Sequence, residues 1–276
     1  MHATAIESMV VVVPNLEAVA EQYARLGIAI GPLQIPVPDL HVRSLVVGHS
    51  DPLQVLRFIE PPAHVEPHHP LRWRASQRLA EQGAGAVALI LQVPHLRSSV
   101  ATLAAKGVPA TCMLDGPFAW FDLREEAGVA FGLCNDSVLP TVPAAHAFPL
   151  KRMDHLAIIT HQLEATTRFW HDQLDLPVVG EIVTPTMIIR QIRIGDVMLE
   201  LLGPTDADSP IWKRPQGLLS MTSWEVPDLE AAVAQARAAG FHPSDPAIGV
   251  LPGTRTATIP GTDLGGVNMQ LLQYVS

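Results

Sequence analysis

Ser8–Ala18 reads SMVVVVPNLEA, and His155–Ala165 reads HLAIITHQLEA. Both run an apolar strand into a short polar turn and then into the tripeptide Leu-Glu-Ala, which opens a helix. They lie 147 positions apart, and the likeness continues along the chain. Leu56–Pro61 (LRFIEP) is matched by Leu199–Pro204 (LELLGP) at an offset of 143, and His69-Pro70-Leu71 by Ser209-Pro210-Ile211 at 140. Gln92-Val93-Pro94-His95-Leu96 answers Glu225-Val226-Pro227-Asp228-Leu229 at 133, and Gly128-Val129 precedes a terminal strand as Gly266-Val267 does at 138. Five segments that recur in one order with small drift are what loop-length changes leave in a duplicated domain.

A weaker repetition runs inside each half. An apolar strand, a turn containing Pro or His, and a helix occur at Met9–Leu26, Val87–Lys106, Leu156–Leu174 and Leu219–Ala239. Ala232–Ala239 (AVAQARAA) is helical by propensity, and Gly240 ends it as a C-cap would. Met187–Ile194 (MIIRQIRI) and Val197–Leu202 (VMLELL) alternate as strands do. The expected class is α+β, with a unit of strand, helix and several strands used four times. Residues 1–140 are expected to form one domain and 153–276 a second, joined by a linker at 141–152 that contains Pro143 and Pro149.

A length of 276 residues suits two such domains. With 48% hydrophobic and 16% charged residues, a disordered chain is excluded. Lys and Arg number 18 against 27 Asp and Glu, a net charge of −9, so nothing supplies the basic surface a nucleic-acid binder needs. The longest apolar runs, such as Met9–Pro14 and Ala86–Leu91, are far short of the ~20 residues that span a bilayer, so no membrane partner is expected. No basic segment followed by an apolar stretch marks a secretory signal, and Cys112 and Cys134 make no disulfide framework. A cytoplasmic protein is the simplest expectation, and both thiols are expected to be inert and buried.

Four such units resemble the vicinal oxygen chelate superfamily, which includes glyoxalase, methylmalonyl-CoA epimerase and the extradiol dioxygenases. Met153–Gly180 (MDHLAIITHQLEATTRFWHDQLDLPVVG) is similar to the opening βα unit of an epimerase- or glyoxalase-type domain. Leu199–Ile211 (LELLGPTDADSPI) resembles the epimerase strand and the loop after it, and Gly217–Leu229 and Asp263–Leu272 (DLGGVNMQLL) complete the domain. The resemblance covers 151–276 and, more faintly, 1–140. It implies four βαβββ units paired into two half-barrel domains, each around a cavity. It also implies metal ligands on the first and last strands of each unit, which transfer to His155, Glu200, Met221 and Gln270. His155 and Glu200 suit a hard divalent ion, whereas Met221 stands where the family has His and Gln270 where it has Glu. The first half departs completely, with Ser8, Arg57, Ala88 and Gly132 at the matching places. The implied cofactor is therefore either a weakly held divalent metal (Ni, Co, Zn or Mn) on His155, Glu200 and Gln270, or none. A dioxygenase needs two His and one carboxylate and a terminal motif that Thr258–Gly266 (TIPGTDLGG) lacks, so oxygen chemistry is set aside.

Glu200 interrupts an apolar run and shares a strand face with Met198 and Leu202. A carboxylate on a cavity face must be paired, ligated or protonated, and His155 on the neighbouring first strand could meet it. His155 and Glu200 are the expected catalytic couple, against the alternative of a buried structural pair. Met221, Gln270, Asn268 and Trp212 are expected to line a substrate site, with Trp73 and Trp212 at equivalent cavity mouths. Arg190 and Arg193 point to opposite faces of one strand, and one of them could bind an anion. The cluster His64, Glu66, His68 and His69 lies in a Pro-rich loop with nothing to fix its ligands and is read as a solvated or packing loop. The resemblance implies a small-molecule isomerase or lyase acting next to a carbonyl. A non-catalytic, drug-sequestering binding protein of the same superfamily is the rival. The partner in either case is a small molecule, and a homodimer and a monomer both remain open.

Overall fold

Each unit starts with a strand that is buried along nearly all of its length. The computed structural model describes residues 2–37, 40–47, 54–61, 70–114, 118–135 and 146–275. The first unit comprises β1 (Ala5–Val12), α1 (Leu16–Leu26), β2 (Gln34–Val37), β3 (Leu40–Val47) and β4 (Gln54–Glu60), followed by α2 (Pro70–Gln82). The second comprises β5 (Gly85–Gln92), α3 (Leu96–Ala105), β6 (Cys112–Leu114), β7 (Phe118–Phe121) and β8 (Ala130–Cys134). The third runs through β9 (Arg152–Ile159), α4 (Leu163–Arg168), β10 (Val178–Val183), β11 (Ile188–Ile194), β12 (Val197–Gly203) and the short β13 (Gly217–Leu218). The fourth is β14 (Met221–Glu225), α5 (Leu229–Ala238), β15 (Ala247–Ile248), β16 (Thr254–Ile259) and β17 (Asn268–Tyr274).

Local chemistry sets the helix ends. Asn15 and Asp228 cap α1 and α5, each side-chain oxygen accepting from the backbone N–H three residues on. Ala239 caps the end of α5, and Gly240 after it takes the left-handed conformation, one place beyond where the propensity run stops. The expected helix after β9 is α4 continued by a π-helical turn, Phe169–Gln173, and α2 is an addition that the repeat does not predict.

The strands form two sheets, in the orders β2-β3-β4-β1-β5-β8-β7-β6 and β10-β11-β12-β9-β14-β17-β16-β15. In every unit the first strand pairs parallel with the last (β1 with β4, β5 with β8, β9 with β12, β14 with β17), and the intervening strands are antiparallel. The α+β class and the two half-barrel sheets of four βαβββ units are as expected.

Close contacts group the chain into two compact units. One contains Met1–Ser8, Ala88–Val138 and His155–Leu219. Inside it the Trp170 indole donates to the Ala127 carbonyl at 2.9 Å, and the Phe131 ring lies 5.0 Å from Phe121 and 5.9 Å from Trp170. The other contains Met9–Val87, Leu139–Asp154 and Ser220–Ser276. There the Gly27 carbonyl accepts from the N–H groups of Ala147 and Phe148, and the Arg25 guanidinium sits 4.6 Å above the Phe241 ring. Arg152 bridges Asp154 and Glu225, and the Tyr274 hydroxyl donates to Asp154 at 2.8 Å.

Candidate functional site

The site is assembled by a two-residue hairpin. Gly195-Asp196 joins β11 to β12, with Gly195 at φ +60°, a conformation that glycine enters without the steric cost other residues meet. That turn pairs Ile194 with Val197, and counting back along the ladder sets Gln191 opposite Glu200 and Ile189 opposite Leu202. The parallel partner of β12 is β9, with Met198 beside His155 and Glu200 beside Ala157. His155, Glu200 and Gln191 therefore share one face of three adjacent strands.

On that face His155 and Glu200 are 6% and 5% exposed, and the imidazole Nε2 lies 3.9 Å from Glu200 Oε2. The other carboxylate oxygen accepts from Gln191 Nε2 at 3.0 Å. Desolvating a carboxylate is costly unless its oxygens are met, and the Gln191 hydrogen bond supplies part of that compensation. Farther along the same strands the face turns apolar, with Ala157, Ile159, Ile189, Leu202 and Ile211 buried together. The polar couple thus lies at one end of a buried apolar cluster. Gln191 was missed by sequence reasoning, although the Gly-Asp hairpin fixes its register and could have revealed it.

Ile211 is held over the face by its own turn. Ser209 Oγ donates to the Thr186 carbonyl at 2.6 Å, and His161 Nε2 lies 3.2 and 3.1 Å from the Ile211 and Arg214 carbonyls. Trp212 is directed to other partners. Its indole donates to the Asp206 carbonyl, its ring packs 5.0 Å from His161, and it stays 44% exposed. Arg190 is tied to Glu164 at 2.9 Å and Glu181 at 2.8 Å, and its hydrogen bond holds the Glu164 carboxyl below the usual range. Arg193 is exposed on the face that carries Gln191.

The remaining expected residues lie on β14 and β17. Met221 pairs with Asn268 and Ser223 with Gln270. The Ser223 hydroxyl donates to Gln270 Oε1 at 2.8 Å, and Asn268 Oδ1 accepts from the Gly261 N–H. The divalent ion implied by the resemblance finds a poor donor set here. Met221 offers a thioether and Gln270 a neutral amide whose oxygen is already engaged. Among the described residues no three His, Cys, Asp or Glu side chains gather in a way that could hold a metal. These residues do not fit a hard divalent ion. Cys134 is buried as expected, whereas Cys112 is only half-buried, because β6 is the outermost strand of its sheet. His64, Glu66, His68 and His69 lie outside the described residues, as does 141–145 of the expected linker. No helix among the described residues is long and apolar enough to cross a membrane.

Residues 154–257 match the family model of the Glyoxalase/Bleomycin resistance protein/Dioxygenase superfamily. The vicinal oxygen chelate fold extends over the rest. A mutant of 4-hydroxymandelate synthase from Streptomyces coelicolor superposes with a TM-score of 0.68 at 16% identity, covering 99% of this chain and 93% of its own. A xylose isomerase-like TIM barrel/4-hydroxyphenylpyruvate dioxygenase fusion protein gives 0.67 at 15% identity, covering 99% of this chain and 49% of its own. Methylmalonyl-CoA epimerase from Mycobacterium tuberculosis is 22% identical over 48% of this chain and 94% of its own, with a TM-score of 0.43. For the first two, at these identities, the likeness is one of fold. No curated protein sequence matches the chain.

Proposed function

We propose that the protein binds a small carbonyl compound and moves a proton on the carbon beside the carbonyl, as an isomerase or lyase of the glyoxalase/epimerase kind. The observation that carries this reading is the buried couple, His155 Nε2 and Glu200 Oε2 at 3.9 Å, set beside an apolar cluster. Gln191 fixes one Glu200 oxygen and leaves the other toward the imidazole. In the proposed reaction Glu200 takes the proton from carbon, and the C–H electron pair moves into the carbon–carbon bond and onto the carbonyl oxygen. The imidazole is the neighbouring group that can return a proton to carbon. Isomerisation ends with that return, and elimination ends with loss of a group from the next carbon. A net charge of −9 favours a small-molecule partner over nucleic acid, and the two sheets, β1–β8 and β9–β17, support domains divided near 141–152.

The test is deuterium exchange in D2O with a panel of 2-oxo acids, hydroxyketones and acyl thioesters, followed by proton NMR. The full-length protein should wash out the α-proton signal of at least one compound. Glu200→Gln should abolish that exchange with an unchanged melting temperature. Exchange that survives in Glu200→Gln, or exchange with no member of the panel, overturns the reading.

A second reading is favoured by the donor chemistry of Met221 and Gln270, which suits a non-catalytic binding cavity. Under it, the double variant His155→Ala/Glu200→Ala keeps its affinity for whichever panel member binds. Loss of binding in that variant counts against it.

A further inference from the structure

β11 carries two arginines on opposite faces, and the fold uses only one of them. Arg190 is taken up by Glu164 and Glu181. Arg193 makes no ion pair and no side-chain hydrogen bond among the described residues. Its register puts it on the face of the couple. Arg193 stands opposite Met198, and Met198 stands beside His155, so the three form one row across β11, β12 and β9. Gln191, Glu200 and Ala157 form the next row, and Ile189, Leu202 and Ile159 the one after it.

Exposure falls along these rows in that order. In the first row Arg193 is exposed, Met198 half-buried and His155 buried. In the second, Gln191 is half-buried and the other two are buried, and in the third all are buried. The face therefore opens to solvent at Arg193 and closes at the apolar cluster, with the Glu200 carboxylate in between. Diagonal neighbours in a ladder are about 7–8 Å apart, which a long side chain covers. Arg193 and Glu200 are such neighbours, yet they do not pair, and the Glu200 oxygens go to Gln191 and His155 instead. The one permanent cation on these rows is thus left with its donors uncommitted at the open end.

We propose that Arg193 takes a carboxylate of the substrate, so that the carbonyl compound handled by His155 and Glu200 is an acid. This rests on the proton-transfer reading of the couple given above. An anion approaching Glu200 in a chain of net charge −9 is repelled, and the guanidinium supplies the offsetting charge. Its fork of N–H groups matches a carboxylate at two points, which orients the acid with its reacting carbon inward. Successive rows are about 7 Å apart, a distance that a short oxo acid spans.

2-Oxobutanoate and 2-oxopentanoate, each beside its methyl ester, are titrated into the full chain by calorimetry, and their C3 proton exchange is followed in D2O. At least one acid should bind about tenfold more tightly than its ester, the effect of a hydrogen bond to a charged group. Arg193→Met should bring that acid down to the level of its ester. Because Arg193 is exposed, the variant should keep the parent melting temperature. Arg190→Met, on the opposite face, should keep the ratio of acid to ester. No binding of either acid, equal binding of acid and ester, or a ratio that survives in Arg193→Met would each overturn the proposal, as would a ratio lost equally in Arg190→Met. A ratio lost only in Arg193→Met, with no exchange of either acid, supports the carboxylate grip and counts against the proton-transfer reading. Exchange that needs no more acid in Arg193→Met than in the parent does the reverse.

Discussion

The first and third units share a backbone and differ in what they place on it. In the third, Glu200 stands beside Ala157 and opposite Gln191; in the first, Arg57 stands beside Val10 and opposite Ser44, in the same parallel and antiparallel registers. The cross-strand bond survives with its polarity reversed. Gln191 donates to the Glu200 carboxylate at 3.0 Å, whereas the Arg57 guanidinium donates to Ser44 Oγ at 3.2 Å. The second and fourth units diverge by volume. Where Gln270 pairs with Ser223, Gly132 pairs with Ile90, and a Cβ on Gly132 would come within 2.3 Å of the Phe118 ring. The phenyl group fills the space that a ligand-bearing side chain would need. Duplication has preserved the ladders, which depend on backbone, and released the side chains, which do not.

The strongest challenge to this comparison is to write the third unit's residue into the first. Arg57 is 3% exposed and its guanidinium, which has only donors, uses Ser44 Oγ as an acceptor, so a carboxylate in its place would be buried without that partner's geometry. Arg57→Glu should therefore cost about 3–5 kcal/mol in urea unfolding. A variant as stable as the parent would mean that the two positions are interchangeable. A finer test uses two buried tryptophans. Trp224 Nε1 donates to Thr222 Oγ1 at 2.9 Å, while Trp120 Nε1 has no partner among the described residues. Trp224→Phe should be more destabilising than Trp120→Phe by about 1 kcal/mol, the hydrogen bond that only one of them gives up.

The smallest effect concerns the tether that the second half makes at its last strand. Burial and the hydrogen bond to Asp154 push the Tyr274 phenol up to about 12. Its value is higher folded than unfolded, so its contribution to stability is complete below pH 10 and is lost as pH rises toward 12. Thermal melts across that window should fall less steeply in Tyr274→Phe than in the parent protein, and equal slopes would remove the tether from the comparison.

The fold was legible because repeats and strand alternation are properties of the chain itself. SMVVVVPNLEA and HLAIITHQLEA reported the duplication, and Met198-Leu199-Glu200 reported which face the carboxylate takes. The approach of His155 to Glu200 followed from pairing the first strand of a unit with its last. What stayed hidden depends on where loops travel. Trp212 sits one residue from the buried Ile211, yet the turn that seats Ile211 carries the indole away to Asp206 and His161.

The parallel pairing of β9 with β12 also has a kinetic side. The two strands are joined through α4, β10 and β11, so His155 and Glu200 meet only after a loop of roughly 45 residues has closed, an entropic cost on the order of 3 kcal/mol. No short fragment of the chain, and no early folding species built from local hairpins, can hold the couple together. A signal from the His155 ring that senses Glu200 would therefore mark the last step of that unit's assembly, well after its helices and its β11–β12 hairpin have formed.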